Sequence, residues 1–179
     1  MSHVRLTPEQ EQAIKREMAR PPATLDWYLE VIAALAILLP FGYLLAAWSE
    51  LPTTIPTHFD AAGKADGFGS RSTLFVLIGV QVALYLLLTF MRYLPARFYN
   101  VPVTVTERNL VRVGALLRRF PRVMKAALSL TLGMLIVGTI RVALAQATSL
   151  SPWLTGIGMA GILCAVLWLL VETSRISRA

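Results

Sequence analysis

Cysteine, histidine and charged residues are all scarce in this chain of 179 residues. The single cysteine, Cys164, excludes a disulfide within the chain. The two histidines, His3 and His58, fall short of the three or four protein ligands that a zinc site usually needs. Charged residues make up 15% of the chain, whereas soluble domains contain about 25%. This low charge argues against an ordinary soluble domain.

Apolar residues make up 56% of the chain and are concentrated in four long runs. The runs cover residues 27–48, 73–91, 126–147 and 153–171. A helix of about 19–22 residues spans the roughly 30 Å of bilayer hydrocarbon, and lipid cannot satisfy exposed backbone groups. The sequence therefore predicts an all-α integral membrane protein with four transmembrane helices. Residues 25–179 would form one membrane domain after an N-terminal arm of residues 1–24.

Basic residues are distributed unequally between the segments that connect these runs. Residues 92–125 contain eight Lys or Arg and one acid, whereas the 49–72 loop has only Lys64 and Arg71. An excess of Lys and Arg marks the cytoplasmic side of a membrane protein. We therefore expect both termini in the cytoplasm and the 49–72 loop outside a bacterial inner membrane. The basic face suits membrane lipids, and no motif that reads nucleic-acid bases is present.

Two further helices are expected on the cytoplasmic side. Thr7, Pro8 and Gln10 form the capping-box pattern of a short helix, which we expect to be solvated or to lie among the headgroups. Residues 107–123 are predicted to form a basic amphipathic helix between the second and third spans. Its apolar face consists of Leu110, Val113, Leu117 and Phe120. Lipid is its favoured partner, and a cytoplasmic protein is the alternative.

Few charged side chains interrupt the apolar runs. Glu30 lies near the cytoplasmic end of the first run, where we expect a paired acid or one that reaches the interface. Arg141 lies about fifteen residues into the third run, near the outer surface. Because charges inside a membrane usually find partners, Arg141 is expected to pair with a loop carboxylate. The candidates are Asp60, Asp66 and Glu50; the alternative is that Arg141 extends to the outer headgroups.

The 49–72 loop carries most of the polar chemistry in the sequence. "DAAG" and "KADG" are two turn signatures, in which Gly63 and Gly67 would supply positive φ. We expect a compact loop with His58 hydrogen-bonded to Asp60, to Asp66 or to the backbone. These three side chains are weak metal candidates, because zinc needs more ligands and the EF-hand spacing fails. No cofactor is expected, and no Ser-His-Asp or Cys-His set is recognisable.

The stretch "LPTTIPTHFDAAGKADGFGSR" resembles the loop of a bacterial membrane domain of unknown function. This domain also stands at the N-terminal part of SdpI-like proteins, which give immunity to a sporulation-delaying toxin and take part in its signalling. The family pattern falls on Pro56, His58, Phe59, Asp60, Gly63, Asp66, Gly67, Phe68 and Ser70, and Arg71 stands where the family commonly has lysine. The resemblance covers residues 50–109 and implies the same membrane architecture.

Two classes of function follow from these features. The first is an inner-membrane binding and sensing protein of the SdpI-like immunity type. Its 49–72 loop would recognise a peptide, a toxin or an envelope protein, and the basic 107–123 helix would report binding to the cytoplasm. The alternative is a membrane enzyme or small-solute transporter that uses His58 and nearby carboxylates. The first is favoured, because no acid lies near the middle of a run and no catalytic set is complete.

Overall fold

The computed structural model describes residues 6–91, 93–95, 98 and 104–178. Within the segment that resembles the membrane domain, residues 92, 96–97 and 99–103 therefore lie outside the described part. The elements are α1 (Pro8–Met18), α2 (Thr24–Ala47), β1 (Thr54–Phe59), β2 (Ala65–Ser70), α3 (Thr73–Met91), α4 (Leu110–Ala143) and α5 (Pro152–Ser177). Helices α2 to α5 are each long and apolar enough to cross a membrane. The prediction of four such helices is confirmed.

The 49–72 loop contains a small sheet, so the prediction of an all-α fold is wrong in this segment. β1 and β2 pair antiparallel, with Ile55 opposite Gly69 and Pro56 opposite Phe68. The register is irregular on both sides of His58. The exposed residues of β2 alternate with half-buried positions, which is the period of a strand on a surface. The loop is therefore a single hairpin.

Helix α4 is one continuous element of 34 residues. The predicted division into a surface helix at 107–123 and a separate span from residue 126 is therefore wrong. At 1.5 Å per residue α4 is about 51 Å long, well beyond the roughly 30 Å of bilayer hydrocarbon. Pro121 lies inside the helix without ending it. Neighbouring helices and side chains can satisfy the backbone group that a proline leaves free.

The N-terminal part of α4 is covered by the chain itself. Ile14 and Met18 of α1 are buried at 1% and 6% exposure, and they join Val113 and Ile176 in one apolar cluster. At Gly114 a Cβ atom would lie 2.6 Å from the Cβ of Glu17, so α1 and α4 approach closely. The capping box at the start of α1 is confirmed. The expectations of a solvated α1 and of a lipid-covered apolar face at 107–123 are corrected by this packing.

A second apolar cluster joins the hairpin to the helices. Ile55 of β1 packs with buried side chains from the ends of α2, α3 and α4 and from the segment that follows α2. They are Leu44, Ala47, Leu51, Leu74, Ile78, Ile136 and Ile140. Because strand β1 supplies part of this core, the hairpin is built into the helical domain.

A buried glutamine connects three helices between these two clusters. Pro40 has no N–H, so Ala36 O of α2 lacks its usual helical partner. Gln81 of α3, which is 1% exposed, donates from Nε2 to Ala36 O at 2.9 Å and to Ser129 O of α4 at 2.8 Å. One amide group therefore holds the backbones of α2 and α4 together and satisfies the carbonyl that Pro40 leaves free.

Gly133 allows α2 and α4 to come this close. A Cβ atom on Gly133 would lie 2.5 Å from Ala36 O and 3.2 Å from Pro40 Cγ. Small residues permit such close approach between membrane helices. The contact lies one helical turn from Ser129, so the close packing and the Gln81 hydrogen bonds belong to the same crossing point.

We predict that Gly133→Val lowers the free energy of unfolding by about 1–3 kcal/mol, because the added side chain meets backbone atoms of α2. Thermal unfolding in detergent measures the effect. Gly79→Val is the matched control, since a Cβ atom on Gly79 of α3 meets nothing within 4 Å. Equal melting temperatures for the two variants would contradict the close contact at Gly133.

Candidate functional site

The turn of the hairpin is closed by Asp60. Its Oδ1 accepts hydrogen bonds from Ala62 N at 2.9 Å and Lys64 N at 2.8 Å. Gly63 has a φ of +79°, which is the left-handed region that favours glycine. The first predicted turn is therefore confirmed. Asp60 points at backbone amides, so its carboxylate serves the fold of the loop.

The second predicted turn does not form, and Gly67 has no positive φ. Gly67 lies within β2, where a Cβ atom would be 2.8 Å from the Cβ of His58. The two atoms would be this close because the irregular register around His58 brings the histidine side chain over Gly67. Asp66 of β2 contacts the same histidine. Its Oδ1 lies 2.5 Å from His58 Nδ1, so the histidine pairs with Asp66, one of the expected partners.

Arg71 ties the hairpin to the end of α2. Its Nη1 donates to Trp48 O at 3.0 Å and to Leu51 O at 2.8 Å. Its guanidinium also lies 4.4 Å from the centroid of the Trp48 ring. These carbonyls follow the C-terminal end of a helix, where cations and donors are stabilising. A single side chain thus combines two hydrogen bonds with a cation–π contact.

The expected pairing of Arg141 with the loop is not formed. Arg141 is exposed near the end of α4 and makes no ion pair with Asp60, Asp66 or Glu50 in the described ranges. Glu50 is also exposed. The connection assigned to Arg141 is instead made by Arg71 and by the backbone, because Leu150 N donates to Gly63 O at 2.8 Å. Extension of Arg141 to the headgroups remains the alternative.

The remaining motif residues divide into buried and exposed groups. Pro56 is buried and Phe59 is half-buried. By contrast Asp66, Phe68 and Ser70 are all exposed, and alternate residues of a strand point to one face. We call these three residues, together with His58, the hairpin surface. Phe68 is 64% exposed, which is high for a phenylalanine in an ordered strand.

A groove lies on the other side of the hairpin, against α3 and α4. Its lining includes Ile55, Phe59, Leu74, Leu77 and Leu135, and it excludes His58, Asp60 and Asp66. Among the described residues no three His, Cys, Asp or Glu side chains are grouped to hold a metal ion. The hairpin therefore offers a surface for contact, and its polar residues do not converge on an enclosed site.

A second polar group, the polar layer, lies at the opposite end of the helices. Lys125 Nζ donates to Glu30 Oε2 at 2.6 Å and to Thr89 Oγ1 at 2.9 Å, and it lies 4.3 Å from the Tyr85 ring centroid. The layer consists of Asp26, Glu30, Tyr85, Thr89, Arg122 and Lys125. Glu30 is therefore a paired acid, which was one of the two expectations for this residue.

Sequence analysis identified Glu30 but missed its partners. Lys125 belongs to a basic segment that was assigned as a whole to the membrane surface, yet its side chain is only 2% exposed. A usable signal exists, since Glu30, Thr89 and Lys125 all lie within about two turns of the same ends of their spans. Opposite charges at equal depth in neighbouring helices indicate an ion pair.

The comparisons with known proteins each cover part of the chain. The model of a family described as "Domain of unknown function (DUF1648)" matches residues 35–82. An "Uncharacterized protein" of Archaeoglobus fulgidus is 35% identical over 115 residues, which cover 56% of this chain and 61% of that protein. The chain thus matches about three fifths of the length of this relative. No solved structure matches the chain.

We predict that Gly63→Val loosens the hairpin and destabilises the protein by about 1–3 kcal/mol, because a β-branched residue resists positive φ. The new Cβ atom would also clash with Leu150 O. Thermal unfolding and limited proteolysis of the loop measure the two effects. Ala61→Val in the same turn is the control, since Ala61 is exposed. Wild-type behaviour of both variants would show that the turn does not hold the hairpin.

Proposed function

We propose that the chain is an inner-membrane binding protein whose hairpin surface recognises a peptide or an envelope protein outside the cytoplasm. The observation that carries this proposal is an exposed aromatic side chain on a firmly anchored hairpin. Phe68 is 64% exposed, whereas the other side of the same hairpin contributes Ile55 to the core. Packing within the chain gives no reason for this exposure.

The anchoring of the hairpin favours binding. Arg71 fixes the end of β2 to α2, Ile55 fixes β1 in the core, and Gly63 O accepts from Leu150 N. An element that is ordered before binding loses less conformational entropy when a partner arrives. The contacts of the turn and of Arg71 therefore support recognition by keeping the hairpin ordered. Neither the turn nor Arg71 needs to touch the partner.

The chemistry of the hairpin surface suits a protein or peptide partner. A central aromatic side chain surrounded by polar groups is the usual composition of a binding hot spot. Here Phe68 has Asp66 and Ser70 as its neighbours on the strand face, and His58 pairs with Asp66 beside it. Both partners are accessible, with side-chain exposures of 73% for His58 and 48% for Asp66. The polar groups of His58 and Asp66 can orient the partner, and Phe68 provides the apolar contact area.

The proposed orientation follows from the distribution of charge. The segment that precedes and begins α4 carries seven of the fourteen arginines, and excess positive charge is retained in the cytoplasm. Helices α2 and α4 both run between that end and the hairpin, so the hairpin faces outward and both termini face inward. In this orientation the hairpin surface meets molecules of the bacterial envelope.

The resemblance of the loop motif to SdpI-like proteins adds a more specific partner class, a peptide toxin. Immunity would then consist of capture of the toxin at the hairpin surface. Helix α4 offers a route for signalling, because this single helix contacts β1 at one end and α1 at the other. A displacement of the hairpin can therefore reach the basic segment without crossing a flexible joint.

The alternative of an enzyme or transporter that uses His58 gains less support. His58 and Asp66 are exposed, and the groove beside them is lined by other residues. In the described part of the chain Asp60 is committed to the turn. A catalytic site normally needs a concave pocket on which its polar groups converge.

Photo-crosslinking in living cells tests the proposed recognition. A photoreactive phenylalanine in place of Phe68 is expected to give a discrete adduct with the partner. The same residue in place of Trp153 is the control, because Trp153 is an aromatic side chain at the same end, outside the hairpin, and at 81% it is even more exposed than Phe68. Arg71→Gln should lower the adduct yield at position 68 about tenfold, equivalent to roughly 1.4 kcal/mol of added ordering. Identical adducts at both positions, or none at position 68, would refute hairpin recognition.

The orientation is testable separately by cysteine labelling. In a Cys164→Ala background, Lys64→Cys in the hairpin should react with a membrane-impermeant maleimide in intact cells. Arg112→Cys should react only after permeabilisation, because its side chain would face the cytoplasm. Both native side chains are exposed, so access by the reagent is not limited by burial. The reverse labelling pattern would invert the topology.

A further inference from the structure

A small cavity adjoins the polar layer, far from the hairpin. Its polar side is formed by Glu30, Arg118, Arg122 and Lys125. Its apolar side is formed by Met18, Leu88 and Leu117, which come from α1, α3 and α4. A cavity with one cationic wall and one apolar wall at the end of a membrane span matches the two parts of a phospholipid, its phosphate and its acyl chains.

The charges around this cavity do not balance. Arg122 lies 3.7 Å from Asp26 and 3.6 Å from Glu30, and Lys125 lies 2.6 Å from Glu30. These contacts use both carboxylates. Arg118 lines the same cavity and forms no ion pair within the described ranges. Three cationic side chains thus face two carboxylates, and one positive charge is left over.

The surplus cation is Arg118, and part of its guanidinium is enclosed. Its Nε is buried and has no hydrogen-bond partner among the described residues. Burial of a charged donor without an acceptor is unfavourable. An anionic oxygen ligand would relieve this, since arginine binds phosphate through paired hydrogen bonds.

Comparison with Arg122 and Arg119 shows that the unpaired positive charge is specific to Arg118. Arg122 Nη1 donates to Arg118 O at 3.0 Å and its side chain is 9% exposed, so Arg122 is committed to the protein. Arg119, by contrast, is exposed to the surroundings. Arg118 differs from both, because it lines a cavity and keeps a donor unused.

We infer that the cavity is a binding site for a phosphate group that carries one or two negative charges, with Arg118 as its principal ligand and Lys125 and Arg122 completing the cationic wall. The group can come from an anionic phospholipid of the adjacent leaflet or from free phosphate. This site is independent of the hairpin, so it stands whether or not the hairpin binds a partner.

Native mass spectrometry of the full-length protein in detergent tests this inference, with phosphatidylglycerol as the probe and diacylglycerol, which has no phosphate, as the apolar control. Arg118→Gln should weaken phosphatidylglycerol binding about tenfold, the effect of losing one charge-assisted hydrogen bond. Arg119→Gln removes the same charge from the next residue and should change binding less than twofold. Arg118→Lys keeps the charge without the planar guanidinium, so its affinity for phosphatidylglycerol should be intermediate. It also provides the test if Arg118→Gln does not fold.

Inorganic phosphate distinguishes the two sources. If the site takes free phosphate, millimolar phosphate should raise the melting temperature of the lipid-free protein, and Arg118→Gln should abolish this increase. If the site takes only lipid, phosphatidylglycerol alone should stabilise the protein. Equal lipid binding by the Arg118→Gln and Arg119→Gln variants, or binding of diacylglycerol as strong as that of phosphatidylglycerol, would overturn the proposed site.

Discussion

The hydrogen bonds of Gln81 are the contact on which the arrangement of the helices depends. Inside a bilayer every backbone group must find a partner within the protein. Pro40 leaves Ala36 O without one, and Gln81 supplies a donor from α3 while it also binds Ser129 O. Because Gly133 lets α4 reach the same point, one crossing fixes the relative positions of three spans. The hairpin and the polar layer are built at opposite ends of this arrangement.

The parts of the fold that could be predicted from the sequence are those governed by local rules. The residues of α3 coincide with the second apolar run, because a lipid-facing helix needs an unbroken apolar stretch. The capping box of α1 depends on three neighbouring residues. Likewise the turn at Gly63 needs only an aspartate and a glycine at the right spacing. In each case the determining residues are close together in the chain.

The incorrect predictions concern contacts between distant residues. A basic amphipathic segment has the same pattern whether its apolar face meets lipid or another helix, and here Ile14 and Ile176 cover it. Arg141 was expected to hold the loop, but Arg71 of the loop itself does so by binding carbonyls at the C-terminal end of α2. The role of Gln81 could not be predicted, since it depends on a proline in another helix.

The length of α4 has a consequence for the membrane itself. From Lys125 to Ala143 the helix rises about 28 Å, close to the thickness of bilayer hydrocarbon, while the part before Lys125 adds about 22 Å. The polar layer cannot move into the hydrocarbon of the bilayer, because the charged side chains of Glu30 and Lys125 are unfavourable there. The hydrophobic length of the protein is therefore fixed by its fold. In a thicker bilayer the surrounding lipid must thin, whereas in a thinner bilayer the helices must tilt. This hydrophobic mismatch gives the protein a preference among membranes of different thickness.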